Sequence, residues 1–205
     1  VRWDLVEVNI LSDQVEKDGQ GVLVRGGAMS TIDAAREKRN TLGARVERAM
    51  QVVTSHWADP DEYGQIILWC DLNDEQDELE RALRDRGLTY SSVRGSQSDD
   101  VVEEQLRAWL AGETYALIGK PSMLGRGLNL QQCSAAVFVG ITHKYEQTIQ
   151  AVHRIHRFGQ QRACTVTLIY AETETEVRDT LQEKWAEDDR LTETMSDVLR
   201  EFGLS

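Results

Sequence analysis

Gln150-Ala151-Val152-His153-Arg154-Ile155-His156-Arg157-Phe158-Gly159-Gln160 repeats arginine and glutamine at spacings that a helix serving only to cover a core has no reason to keep. Arg154 and Arg157 are three apart, so on a helix they share one face, with Gln150 about one turn before them. A guanidinium is always charged and presents a planar fork of donors, which suits phosphate oxygens better than the point charge of lysine. The paired arginines therefore read as a phosphate clamp, the plainer alternative being a basic helix face turned to solvent. Upstream, Gly119-Lys120-Pro121-Ser122-Met123-Leu124-Gly125-Arg126-Gly127-Leu128-Asn129-Leu130 follows the strand-like run Tyr115-Ala116-Leu117-Ile118. Glycines allow close approach of backbone to a ligand, and loops after strands in open α/β sheets are where ligands collect.

Outward from these two segments, strand and helix alternate as in a parallel sheet. Gln65 to Cys70 is a buried-strand run; Asn73 then stands as a candidate N-cap with Gln76 three residues on, and Leu79 and Leu83 face inward on a helix that stops near Gly87. Leu88 to Val93 is a second strand, and Val102, Leu106 and Leu110 form the inward stripe of the next helix. Beyond the glycine-bearing loop come a strand at Ala135 to Val139, a helix at about 145 to 157 and a strand at Thr165 to Tyr170. Thr173 and Glu176 have capping-box spacing ahead of a charged helix carrying Leu181 and Trp185, and Leu191, Met195, Val198, Leu199 and Phe202 suggest one more helix. Toward the N-terminus, Ile32, Ala35, Leu42, Val46, Met50 and Val53 recur at helical steps from Thr31 to about Trp57, ended by Ala58-Asp59-Pro60-Asp61. Residues 1–31 hold short extended candidates at Leu5 to Leu11 and Gly21 to Arg25 and read as a connector or hairpin.

The formal net charge of −12 opposes a polyanionic partner in bulk. Its distribution is uneven. From Lys120 to Arg162 the basic residues Lys120, Arg126, Lys144, Arg154, Arg157 and Arg162 face one acid, Glu146, whereas acids concentrate at 71–80, 99–104 and 172–193. A phosphate-facing surface on an acidic body fits that pattern. Cys70, Cys133 and Cys164 are odd in number and widely spaced, which reads as buried reduced thiols in a cytoplasmic protein. His153 and His156 form a His-x-x-His pair with no cysteine at metal-finger spacing, so no metal site is expected. No apolar run approaches membrane-spanning length, and no signal-peptide pattern opens the chain. The start at Val1 suggests a piece of a larger protein.

The loop Gly125-Arg126-Gly127-Leu128-Asn129-Leu130 and the stretch Gln150 to Gln160 together resemble motifs V and VI in the second RecA-like lobe of superfamily-two helicases, most like the Swi/Snf-type DNA translocases and their phage and bacterial relatives. The resemblance covers about residues 63 to 185. It departs at His153, where Asp or Gly is common, and at Thr142-His143-Lys144-Tyr145, where many relatives carry Trp-Asn-Pro. It implies an α/β, RecA-like lobe of the P-loop NTPase type, with a mostly parallel sheet flanked by helices. Residues 1–60 would be connector and long helix, 61–172 the lobe, and 173–205 a helical brace packed on it. At 205 residues the chain is too short for two such lobes.

The same resemblance implies the chemistry. Arg157 would act as an arginine finger, with Arg154 beside it, on ATP and Mg2+ held mainly by an N-terminal RecA-like lobe. Gly125, Gly127, Asn129 and Gln150 would belong to the nucleotide-facing surface, and Lys120, Ser122 and Arg126 would meet the backbone of double-stranded DNA. The chain should not hydrolyse ATP by itself, because hydrolysis needs a phosphate-cradling Walker loop and a carboxylate pair for magnesium. Gly119-Lys120-Pro121-Ser122 resembles the end of such a loop only superficially, since Pro121 removes a backbone donor and blocks the helix start. Asp61-Glu62 and Asp74-Glu75 sit beside turns or helix starts on acidic surface. The rival reading is a non-catalytic interaction module that keeps the fold and docks through the helix at 31–57.

Overall fold

Strands that are apolar without alternation can only be satisfied with both faces covered, and that is where the chain places them. The computed structural model describes residues 1–8, 40–59, 64–124, 128–157 and 159–201. In chain order these form β1 (Arg2–Val8), α1 (Leu42–Trp57), β2 (Ile66–Trp69), α2 (Asn73–Asp85), β3 (Tyr90–Ser92), α3 (Asp99–Leu110), β4 (Ala116–Gly119), β5 (Ala135–Phe138), α4 (Tyr145–Val152), β6 (Thr165–Ala171) and α5 (Thr175–Glu201), with a 3-10 turn at Glu172–Glu174 before α5. The six strands make one sheet in the order β1-β6-β5-β2-β4-β3. Every pairing is parallel.

The two-residue period of each strand divides the core into two layers. Ile67, Trp69, Leu117, Ala136, Phe138, Val166 and Leu168 face one side, where Trp109 of α3, Ile149 and Val152 of α4 and Leu181 and Trp185 of α5 cover them. Ile66, Leu68, Ala116, Ile118, Ala135, Val137 and Ile169 face the other, beneath Val46, Met50 and Val53 of α1 and Leu79 and Leu83 of α2. Cys70, Cys133 and Cys164 are free and buried, and burial pushes the Cys70 and Cys133 thiols up to about 12.

Several local expectations are corrected. Residues 2–8, read as part of a connector, are the edge strand β1, in parallel register with β6 from Arg2 against Thr165 to Val8 against Ala171. The Gly21 to Arg25 candidate and the first part of the predicted helix at 31–57 lie outside the described residues. Helix α2 is capped by Glu75, whose Oε2 accepts the backbone N–H groups of Asp71 (2.8 Å) and Leu72 (3.0 Å), and Asn73 is already helical. Gln76 instead donates to Ser92 Oγ and the Val93 carbonyl, both at 2.9 Å. On α3 the fully buried residue is Trp109, and Leu110 is exposed. In place of the Thr173–Glu176 box, Glu174 Oε2 accepts from Ala171 N at 2.9 Å, and one helix, α5, replaces the two expected.

One charge is completely buried. Arg45 on α1 has no exposed surface, and its Nη1 donates to Glu75 Oε1 at 2.7 Å and to the Val139 carbonyl, while Nε donates to Thr41 Oγ1 at 3.1 Å. Gly140 has φ +135, and a side chain there would collide with the Arg45 guanidinium. The pair ties α1, the N-terminus of α2 and the loop after β5 together. Removing one partner strands the other in the core, so Arg45→Ala or Glu75→Ala should each lower unfolding free energy by about 3–5 kcal/mol in urea titrations. The double variant Arg45→Met, Glu75→Leu should recover most of that loss.

Candidate functional site

Helix α4 does not carry both arginines. It ends at Val152, with His153 as its C-cap, and the chain then tightens into i to i+3 turns: Arg154 N donates to Ala151 O (3.3 Å) and Ile155 N to Val152 O (3.1 Å). Arg157 is outside the helix and exposed, so the expected shared face with Gln150, itself exposed on α4, is not formed. Beyond the helix a side chain takes over the carbonyls of the turn. Gln160 Nε2 reaches Ile155 O at 2.9 Å, together with Gln131 O at 2.9 Å and Cys133 O at 3.1 Å. Ile155 is fully buried, and its carbonyl is held by this side chain rather than by a helical backbone donor.

The turn is pinned to the end of the glycine-bearing loop, since Leu130 N donates to Arg154 O at 3.2 Å. Arg154 Nε is buried without a hydrogen-bond partner. Burial, and secondly the charge of Arg157, lower the pKa of Arg154 from the usual arginine value. Among the described residues neither Arg154 nor Arg157 has an ion-pair partner, whereas Arg94 holds Asp77 and Glu80, and Arg86 holds Glu47. The two guanidinium groups are near enough for their charges to interact, and among the described residues no carboxylate is paired with either, so the turn carries positive charge.

Asn129 is exposed, with its Oδ1 accepting from Gln131 N at 3.1 Å and its Nδ2 donating to Gln131 Oε1 at 3.0 Å. Gly125, Arg126 and Gly127 lie outside the described residues. Lys120 and Ser122 belong to the opposite edge of the sheet, just after β4. There Lys120 Nζ donates to Asn73 Oδ1 at 2.8 Å, and Lys144 Nζ pairs with Asp71 Oδ1 at 3.2 Å. The basic stretch from 120 to 162 is therefore two sites. Helix α4 separates them: its eight residues span about 12 Å, from Lys144 at the carboxyl edge of the strands to the arginine turn near the amino edge. The last basic residue of the stretch is structural, for Arg162 donates to the Gln132 carbonyl and lies against Gly64, whose φ is +64.

With that geometry in place, comparison with known proteins is decisive for the family. The family described as helicase conserved C-terminal domain matches residues 45–159, more than half of the chain. The chain belongs to that family. This helicase C-terminal domain is 28% identical over 97 residues to eukaryotic initiation factor 4A of Dictyostelium discoideum, covering 47% of this chain and 24% of that protein. It is 29% identical over 97 residues to eukaryotic initiation factor 4A of Cryptosporidium parvum and 27% identical over 97 residues to the ATP-dependent RNA helicase eIF4A of Yarrowia lipolytica, again 24% of each. The chain thus matches about a quarter of the length of these curated relatives. A crystal structure of the C-terminal part of the Fun30 ATPase domain superposes with a TM-score of 0.59 and 16% identity, over 66% of this chain and 44% of that one, which is a likeness of fold. No helix among the described residues is long and apolar enough to cross a membrane.

The residues missed at the level of sequence are those that hold the arginine turn. Gln160 lay inside the quoted stretch, but nothing in its spacing showed that its amide would bind three carbonyls. Gln160→Ala should cost about 1–3 kcal/mol, read as a lower urea midpoint, because Gln131 O, Cys133 O and Ile155 O lose one shared donor.

Proposed function

We propose that the chain is the second, C-terminal motor lobe of an ATP-dependent DNA translocase or helicase of the Swi/Snf type, as in phage and bacterial members, working against an N-terminal RecA-like lobe. One observation carries the reading: among the described residues Arg154 and Arg157 have no ion-pair partner, and Arg154 Nε is buried with no hydrogen-bond partner. A triphosphate would complement the charge of the two arginines, whose guanidinium forks suit its oxygens. Bound ATP would supply the phosphoryl group that is transferred to water. Arg157, exposed and free to reach across an interface, is suited to the charge that develops on the transferred group, and Arg154 to holding its oxygens. Gln150 and Asn129 flank this turn on α4 and on the loop. By the resemblance to superfamily-two helicases, magnesium is assigned to the other lobe together with most of the ATP.

The docking-module alternative is weakened by α1. Its apolar stripe is spent on the sheet, with Ala49, Met50 and Val53 fully buried, so residues 42–57 offer no free apolar face beyond Trp57. RNA as the track is favoured by one observation, the likeness to an ATP-dependent RNA helicase of Yarrowia lipolytica. Turnover of the two-lobe protein measured with duplex DNA, single-stranded DNA and RNA decides between the tracks, with duplex DNA expected to stimulate most.

In that protein Arg157→Ala should cut ATP turnover by about 10³ or more, with the unfolding midpoint unchanged. Arg154→Ala should also be severe. Near-normal turnover in Arg157→Ala removes the proposal. The carboxyl-edge lysines are tested separately by Lys120→Gln with Lys144→Gln. Affinity should fall alike on all sequences and the slope of log affinity against log salt should flatten by about one to two, as expected for one or two lost phosphate contacts. An unchanged slope would mean that Asn73 and Asp71 are the only partners of these lysines and that the DNA path lies elsewhere.

A further inference from the structure

Helix α5 grips the residue immediately before Arg154. The ring of Trp185 stacks on His153 with centroids 5.4 Å apart and planes at 29°, and Trp3 of β1 meets the other side of Trp185 edge-on at 5.2 Å and 70°. Three residues further along the same helix face, Asp188 Oδ2 lies 2.6 Å from His153 Nε2. A carboxylate only accepts, so the imidazole donates. The contact is not needed to rescue buried polar groups, for the His153 and Asp188 side chains are 38% and 35% exposed. It does constrain direction. His153 is the C-cap of α4, one peptide from Arg154, and Arg154 is held on its far side by Leu130 N. Gln160 closes the turn through the Ile155 and Arg157 carbonyls, and the imidazole adds a further constraint on the backbone next to Arg154.

We infer that Asp188 and Trp185 act through His153 as a positioning clamp, by which the C-terminal helix holds the Arg154–Arg157 turn in the register that its phosphate ligand requires. The inference rests on the phosphate reading of those arginines. His153 and Asp188 touch no ligand themselves; their effect is on geometry, and a displacement of the order of 1 Å at a guanidinium is enough to lose about 100-fold in rate. The clamp also gives a reason for histidine at 153: a ring can stack on Trp185 and donate to Asp188 at once, which a smaller side chain cannot.

Three variants test it: Asp188→Ala; His153→Phe, which keeps the stack and loses the donor; and Asp188→Asn, which keeps an acceptor. Amide hydrogen exchange on the 205-residue chain is read at 154–157, and ATP turnover is read in the two-lobe protein alongside Arg157→Ala. Asp188→Ala and His153→Phe should exchange faster at 154–157 with the global unfolding midpoint kept, and should lower kcat by about 10- to 100-fold while KM for ATP stays, because binding in the ground state belongs mainly to the other lobe. Asp188→Asn should restore most of the loss. Unchanged exchange in both disruptive variants overturns the clamp, as does faster exchange with unchanged kcat while Arg157→Ala remains severe. If Arg157→Ala is silent as well, the phosphate reading has failed, and the clamp falls with it.

Discussion

A parallel sheet sealed on both faces allows polar chemistry only at the ends of its strands, and the rest of this molecule follows from that. β2, β4, β5 and β6 are buried along their whole lengths, so no functional side chain can project from them. What charge the protein uses is expelled to the two edges. Lys120 and Lys144 gather with Asp71 and Asn73 at the carboxyl edge; Arg154, Arg157 and Asn129 gather near the amino edge. The connections between strands also cross the faces, and the covering segments bring with them the residues that connect one edge to the other.

The buried ion pair of Arg45 and Glu75 marks the place where three of those connections must agree. The Arg45 guanidinium satisfies the carbonyl of Val139 and the carboxylate of Glu75, and the other oxygen of Glu75 caps α2 through Asp71 N and Leu72 N. The loop carrying Asp71, the start of α2 at Asn73 and the loop leading to Lys144 are therefore referenced to one buried pair. A buried ion pair is weak evidence for stability, but it specifies an arrangement strictly, since any other arrangement leaves a charge unpaired. The amino edge is organised differently, by an uncharged amide. Gln160 gathers three carbonyls there, and among the described residues Arg154 and Arg157 are left without ion-pair partners.

That contrast separates the two basic sites. At the carboxyl edge each lysine already has an oxygen partner, so a nucleic-acid phosphate would have to compete for it. At the amino edge the arginines repel each other and have nothing to give up. An unmatched, partly desolvated pair is the more costly arrangement in isolation and the more responsive to an anion; under the proposed function that anion would arrive with the second lobe.

The sequence by itself determined the fold class, the succession of the core strands along the chain and the inward stripes of α1 and α2, because each rests on local periodicity or on residues contiguous in the chain. Apolar runs at 66–69, 116–118 and 135–138, with the threonine-containing run at 165–170, suit a doubly covered parallel sheet. Tertiary structure alone decided what depends on partners distant in sequence. Arg2–Val8 became an edge strand because β6 offered an open ladder over 160 residues away. The turn after helix α4 is closed by Gln160, which takes the Ile155 carbonyl together with two carbonyls of the segment before β5. Glu75 rather than Gln76 became the cap of α2 because Arg45, thirty residues earlier, fixes its carboxylate. His153 met Asp188 thirty-five residues on. Periodicity reports which face of an element is buried, and it carries no information about which far carbonyl, carboxylate or ring that face will meet.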